Sequence, residues 1–475
     1  MMRKFDTKVQ EMKYRVLKEV SKEAWNGTLY DNIIDIPKKI ISGKKPTVRC
    51  CIYKEQVIVN ERVKLAIGGD KSNPNVIQVI DIACDECPVG GYEVTNACRG
   101  CLAHRCETVC PKDAIRFDQH QRAYIDKDKC IECGLCAKAC PYSAIRHNRR
   151  PCEMSCQVDA ISMGKDNQAV IDNEKCVSCG ACVYMCPFGA IMDKSYIIDV
   201  IDMTKKSEEN KNYKVYAIVA PSIASQFTYA KLGQVVKGIK ELGFHSVVEV
   251  ALGADKVADL ETKELVEKGF LTSSCCPAFV DYINKHYPEF KKDVSHNLSP
   301  AALLGQYIKS TDEFAKVVFI GPCTAKKMEM QRADAVETMD TVITFEELQA
   351  LFDSLDINLN ELEEEPLDNA SYFGRIFARG GGLTDAVKQA IIENEIEDFD
   401  FKPVVCDGLD EIKMALLKLS KNIDIGNFIE GMACKGGCIN GAGCIVHGNR
   451  NRVQIDKYGK EAMEKTIKEA ISVLG

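Results

Sequence analysis

Two stretches of the chain repeat one cysteine spacing. "CIECGLCAKACP" holds Cys130, Cys133, Cys136 and Cys140 ahead of Pro141, and "CVSCGACVYMCP" holds Cys176, Cys179, Cys182 and Cys186 ahead of Pro187. Thiolates are soft ligands that suit iron, and the tight turns of C-x2-C-x2-C bring three of them onto one face of an iron–sulfur cubane. Zinc, or free buried thiols, is the alternative reading of the same residues. Far downstream, "TSSCCPAFV" sets Cys275 directly beside Cys276. Neighbouring side chains in extended or turning backbone point different ways. The two are therefore not equal ligands of one centre, and the second thiol needs another task.

The background composition is that of a soluble globular protein: 475 residues, 46% hydrophobic and 28% charged, enough for two to four domains. A net charge of −7 argues against a general nucleic-acid binder. The first twenty residues lack the continuous apolar stretch of a secretory signal, and no apolar run reaches membrane-span length. Twenty-five cysteines without an export signal read as metal ligands in a reducing cytoplasm rather than as disulfides. Their clustering between Cys84 and Cys186 says the same.

Both runs match the bacterial ferredoxin pattern, in which the fourth cysteine of each run binds the other cluster. "ACRGCLAHRCETVCP" is a looser version, with Cys98, Cys101, Cys106 and Cys110. The crossover rule then groups Cys98, Cys101, Cys106 and Cys140 around one cubane, and Cys130, Cys133, Cys136 and Cys110 around another. "CEMSCQVDAI" ends like a ferredoxin half, with Gln157 where proline is usual, so Cys156 joins Cys176, Cys179 and Cys182. Cys84, Cys87, Cys152 and Cys186 make the last set. The reading is an inner module (98–140) inserted in an outer, split one, with about four accessory 4Fe–4S clusters in all. His104 could replace a thiolate or simply hydrogen-bond nearby. Arg146, Arg149 and Arg150 form a basic patch that either docks an acidic electron carrier by steering or is a plain solvated loop.

Other elements must position these groups. Residues 1–83 form an accessory segment: 6–25 has helical apolar spacing, and "EQVIVNERVKLAIGG" suits a strand. Residues 84–190 are the cluster region, and 191–212 read as a helix-like linker. Over 213–475, "KVYAIVA", "HSVVEVAL", "AKVVFIGPC" and "FKPVVCDG" are buried strands between amphipathic helices, an α/β pattern with parallel sheets. "ELEEEPLD" is an acidic loop, and "YGKEAMEKTIKEAISVL" an amphipathic helix. Cys434 and Cys438, four apart, would share one face of a helical turn. The glycines at 436, 437, 441 and 443 would let backbone approach a bulky cofactor.

Three stretches in order, "TSSCCPAF", "GPCTAKKME" and "EGMACKGGCINGAG", resemble the signatures of the di-iron (FeFe) hydrogenases, of the monomeric type with N-terminal ferredoxin-like clusters. Their close variants resemble the branch called group B. The likeness covers about 213–450. It implies an α/β fold: an H-cluster domain of two lobes, with parallel sheets flanked by helices, preceded by α+β ferredoxin-like cluster domains. It implies an H-cluster, a 4Fe–4S cubane joined to a di-iron unit with CO, cyanide and an azadithiolate bridge. On the matching positions Cys276, Cys323, Cys434 and Cys438 hold the cubane, and Cys438 supplies the bridging sulfur. Lys326 matches a lysine that donates to a cyanide, Glu329 an acidic group behind it, and Cys275 the proton donor. A free thiol near pKa 8.5 is protonated at neutral pH yet able to give its proton to a close base.

The activity implied is reversible reduction of protons to H2, with electrons from a ferredoxin-type carrier. Maturation proteins would supply the di-iron unit, in an anaerobic cytoplasmic setting without membrane or nucleic acid. "GADKVADLETKEL" resembles the stretch carrying two relay glutamates, making Glu261 and Glu264 candidates with Ser295 behind them; exposed helical glutamates are the plainer reading. Gly321, Ala301, Lys435 and Cys444 depart from common family residues, which bears on rate, bias and oxygen tolerance. Cys50, Cys51, Cys406 and Cys444 are expected to be buried free thiols. Rival readings are a hydrogen sensor, which would carry a sensor module, and an iron–sulfur assembly factor, which would lack the full cysteine set and the neighbouring donor.

Overall fold

The computed structural model describes residues 5–88, 90–164 and 166–474; the first four residues of the expected accessory segment lie outside these. Helix α1 (Lys8–Asn26) begins where Thr7 accepts from the Gln10 N–H and Gln10 returns a bond to the Thr7 N–H, and it stops at Gly27. Its Val16, Leu17 and Val20 enter the main core. The stretch expected as a strand is instead helix α2 (Ile52–Ala66). Its β-branched residues disfavour a helix only weakly, and burial of Val59, Val63 and Ala66 against that core decides the matter.

The cluster region is built from two-stranded antiparallel ribbons. Ile77–Val79 pairs with Ile191–Asp193 and Ile161–Met163 with Ala169–Ile171, forming the outer module. Gly91–Val94 pairs with Ile145–Asn148 and Ile115–Phe117 with Ala123–Ile125, forming the inner one. Residues 191–212, expected as a linker, are packed. They hold the strand just named and the helix Ile197–Lys206, whose Ile197, Val200 and Ile201 are fully buried.

Beyond 213 the chain forms two parallel sheets, as the apolar runs predict. In chain order the strands are β1 (Val215–Val219), β2 (Ser246–Glu249), β3 (Leu271–Thr272), β4 (Lys316–Gly321), β5 (Thr341–Thr344), β6 (Pro403–Asp407) and β7 (Phe428–Met432). One sheet has the order β2-β1-β4-β5 and the other β3-β7-β6. Every pairing is parallel, and β1, β4, β5 and β7 are buried almost throughout, which is why they read as continuous apolar runs, whereas β6 at a sheet edge is partly exposed. The α/β architecture of two parallel-sheet lobes behind ferredoxin-like modules is therefore present. The terminal helix breaks in two: Arg450–Lys460 ends, and Thr466 caps a new short helix at Ile467. No described helix is long and apolar enough to cross a membrane.

Candidate iron–sulfur and active site

The carboxyl ends of parallel strands are where α/β sheets bind ligands, and a hollow with an almost wholly apolar lining lies there. This cavity is walled by residues following β1 (Ala220, Pro221), β3 (Cys275, Cys276), β4 (Pro322, Cys323) and β7 (Ala433, Cys434, Cys438). Three remote loops thus deliver four thiols and a fifth neighbour to one space. All five sit deep in the protein and owe their partial exposure to facing the hollow.

Local sequence explains how each thiol is held. Cys276 is the cap of helix α3 (Pro277–His286), whose first residue is proline, fixed in helical φ and needing no N–H partner. Burial raises the Cys276 thiol's pKa, while backbone N–H groups of Ala433, Phe279 and Ala278 pull it back. Cys323 caps the short helix α4 (Thr324–Glu329) in the same way. Cys434 and Cys438 do not share a helical turn. Gly436 and Gly437 between them adopt φ of +86° and +89°, which breaks the helix and turns the loop. A Cβ at Gly437 would meet Ala378 O at 2.7 Å, one at Gly441 Pro322 O at 2.7 Å, and one at Gly443 Thr344 Cγ2 at 2.5 Å. These glycines let loop backbone pack closely on neighbouring loops, and Gly437 and Gly441 also line the cavity.

Lys326 lines the cavity and is buried; its Nζ donates to Ser299 Oγ and to Glu329 Oε2, each at 2.5 Å. Glu329, itself 1% exposed, thus holds the ammonium in place. Cys275 lies on the same wall. Burial first, then the Glu261 carboxylate, push its thiol well above the ordinary range, so it stays protonated.

Glu261 is not an exposed helical glutamate. It is fully buried in the helix Val250–Lys268, with Oε1 accepting from the Ser274 N–H and hydroxyl at 2.9 Å each. Its Oε2 has no hydrogen-bond partner. Burial raises its pKa to about 7, against the pull of Ser274. Ser295 Oγ donates to Glu264 Oε2 at 2.8 Å and also stands against Glu261. Burial raises Glu264, but bonds from Lys268, Ser295 and the His296 N–H more than offset it and leave its pKa low. His296 next to it is solvent-exposed. Cys275, Glu261, Ser295 and Glu264 therefore form a file from the cavity wall to the surface. Sequence reasoning missed Ser274 and Ser299, whose hydroxyls have no motif of their own; only their places beside Cys275 and Pro300 could have marked them.

The upstream cysteines gather in fours. Cys98, Cys101, Cys106 and Cys140 line one small cavity, and Cys110, Cys130, Cys133 and Cys136 another. Cys156, Cys176, Cys179 and Cys182 lie within electrostatic reach of one another, as do Cys84, Cys87, Cys152 and Cys186. One turn recurs four times. The third residue after Cys110, Cys140, Cys156 and Cys186 (Asp113, Ser143, Asp159 and Gly189) has positive φ. In each, the next alanine N–H donates to the cysteine sulfur at 3.2–3.4 Å. Gln157 in place of proline leaves this geometry intact.

His104 stacks on Phe117 with ring centroids 3.8 Å apart and does not line the cavity of its set, so the thiols there are complete without it. Arg146 and Arg149 are exposed, but Arg150 is 1% exposed, which removes it from the proposed surface patch. Cys179 also lines the central cavity, bringing the set of Cys176 to its wall. The residues fit cubanes rather than single ions. Among the described residues no three acidic, histidine or cysteine groups converge on one ion, whereas four sulfurs spaced around a hollow suit a bulky cluster. Cys406 and Cys444 are buried as expected and do not line the cavity, though Cys444 Sγ reaches Cys438 O at 3.8 Å; Cys50 is exposed and Cys51 half-buried, against expectation, with Cys51 Sγ accepting from the Lys54 N–H at the start of α2. Lys435 points to solvent. No disulfide joins any of these thiols.

Both halves of the chain resemble known proteins. The family described as "Iron only hydrogenase large subunit, C-terminal domain" matches residues 213–442. By that match the chain carries an iron-only hydrogenase domain. Residues 97–144 match a 4Fe–4S dicluster domain and 169–192 a 4Fe–4S binding domain, so the family domain here is preceded by 4Fe–4S ferredoxin domains. Iron hydrogenase 1 of Clostridium pasteurianum is 29% identical over 392 residues, 70% of this chain and 67% of that protein. A protein named cytosolic Fe-S cluster assembly factor NAR1, from Botryotinia fuckeliana, is 34% identical over 144 residues, 26% of this chain and 25% of its own. A solved structure of apo [FeFe]-hydrogenase HydA1 from Chlamydomonas reinhardtii superposes with a TM-score of 0.48 at 20% identity, over 58% of this chain and 92% of that one. Iron-only hydrogenase relatives thus include both named hydrogenases and a named assembly factor.

Proposed function

We propose that this chain is a hydrogenase that catalyses reversible reduction of protons to H2. A ferredoxin or similar carrier brings the electrons, which pass along four 4Fe–4S clusters. The observation that carries the proposal is Cys275: a thiol on the wall of the four-cysteine cavity, with a buried glutamate behind it and a path of polar groups to solvent. Cys276, Cys323, Cys434 and Cys438 would hold the cubane of an H-cluster, with Cys438 at the junction to a di-iron unit that maturation proteins install. When bound, that unit supplies the place where electrons meet protons.

The chain's own residues do the rest. Cys275 holds a proton at Sγ, in a dry site where the thiol form is favoured. Glu261 replaces it: with a pKa of about 7 it exists in both forms at neutral pH, as a relay group must. Glu264 collects protons from the surface and passes them through the Ser295 hydroxyl. Lys326, steadied by Glu329, holds a fixed cation at the wall for an anionic ligand. The apolar lining excludes bulk water.

The matured protein should evolve hydrogen from reduced viologen, and Cys275→Ala should lower the rate by about a hundredfold or more, within the usual contribution of a positioned acid. Normal turnover in that variant would remove Cys275 from the mechanism. No turnover in a fully matured parent would favour the second reading, an assembly protein like the NAR1 relative.

A further inference from the structure

The set of Cys84, Cys87, Cys152 and Cys186 differs from the other three in its surroundings. Three arginines enclose it, and all are shielded from water. Arg150 is 1% exposed and Arg62 5%, and the Arg49 side chain is 6% exposed. Arg150 Nη1 donates to Cys84 Sγ at 3.6 Å and Nη2 to Asn167 O, while its buried Nε has no partner. Arg62, on α2, donates to Phe188 O and Gly189 O at 3.2 Å and lies within reach of Cys186. Arg49 donates to Ala83 O at 2.7 Å, lies over the Phe188 ring, and shares Cys87 with Arg150.

Carboxylates do little to cancel these charges. Glu153 accepts only from the Arg150 backbone N–H. Asp85 and Glu86 are exposed, stand 3.6–3.8 Å from Arg49, and are shared with Lys54. Among the described residues no carboxylate pairs with Arg62 or the Arg150 guanidinium. By contrast, Arg99 and Arg105 beside the Cys98 set are exposed, where water and salt screen them.

We propose that Arg49, Arg62 and Arg150 form a buried cationic shell that raises the reduction potential of the cluster held by Cys84, Cys87, Cys152 and Cys186, so that an electron crossing the chain rests there. Reduction adds one negative charge to a cluster. A fixed positive charge in a poorly screened interior stabilises that state more than the oxidised one. Guanidinium stays charged even when buried; burial lowers Arg62 only to about 10. Two of the three cations come from residues 1–83, so that segment acts on electron transfer as well as on packing.

This inference rests on reading those four cysteines as a cluster set, and the test separates the two. The full chain, reconstituted with iron and sulfide, is titrated redox-potentiometrically under EPR detection, with iron counted per chain. Cys84→Ala should remove one cluster, about four irons. If iron and signal are unchanged, the set is not a cluster and the proposal goes with it. Given that loss, Arg150→Gln should lower one midpoint so that the reduced-to-oxidised ratio at fixed potential falls about tenfold, about 59 mV for one electron. Arg150→Lys should restore much of it, and Arg99→Gln should leave that midpoint in place. If Arg150→Gln sheds the cluster, Arg62→Gln and Arg49→Gln, which donate to carbonyls and not to a thiol, decide. A fall in the same midpoint supports the shell, and unmoved midpoints overturn it.

Discussion

Glu261 carries an opposed pair of demands. It is buried with one oxygen bare, yet in the proposed relay it must take up and release a proton. Its pKa is raised from 4.5 to about 7, so the folded state holds a proton that the unfolded chain releases. Stability from this group is therefore greatest below pH 4.5 and is lost as pH rises through 7, by about 3 kcal/mol in all. Glu261→Gln should flatten that loss in denaturant titrations from pH 5 to 8. The same variant should cut hydrogen turnover at least tenfold, while iron content stays unchanged. The relay shows what a sequence can and cannot give at this scale. Glu261 and Glu264 stand out as candidates from a family-like stretch, and Ser295 from the separate segment "SHNLSP". Ser274 does not, because a serine that binds a carboxylate through both its N–H and its hydroxyl looks like any other serine until the helix and the loop are seen together.

At the scale of elements, Gly180 decides how the cluster domain meets the cavity. It has φ +77°, and a Cβ there would lie 2.5 Å from Ala442 Cβ and 2.6 Å from Thr324 Oγ1. Thr324 Oγ1 in turn donates to Ser178 O at 2.7 Å. Gly180→Ala should push the Cys179 loop off the cavity wall. The expected result is slower reduction of the central site in stopped-flow experiments, at unchanged iron content, by about tenfold or more. The strands over 213–475 were legible because a parallel sheet needs unbroken apolar runs. Helix α2 was not, since its Val and Ile suit strands and only burial against α1 and the main core sets it. The terminal helix was read too long because Thr466, a good cap, lies inside an otherwise helical pattern.

Across the whole molecule, one buried ionic network ties the three regions together. Lys13 Nζ from α1 bonds Asp193 and Glu346 at 2.6 Å each, and Lys327 Nζ bonds Asp193 and Glu347 at 2.8 Å each. Asp193 closes the cluster region, and Lys327 adjoins Lys326 in the cavity wall. Removing one member leaves buried charge without its partner. Lys327→Met should destabilise the protein by about 3–5 kcal/mol and lower a single, shared thermal transition. Two separate transitions would show that the regions fold independently. The network was not readable beforehand, because its residues lie in four distant segments and none belongs to a motif.

Gly91 and Asn148 are partners in one antiparallel ribbon, so the chain departs for the inner module and comes back at a single doorway. A guest joined at adjacent ends asks nothing of its host: a short turn could close the gap, or a larger insert fill it. Two further stations can thus be spliced into such a wire, or taken out, in one genetic event, leaving every other strand pairing where it was.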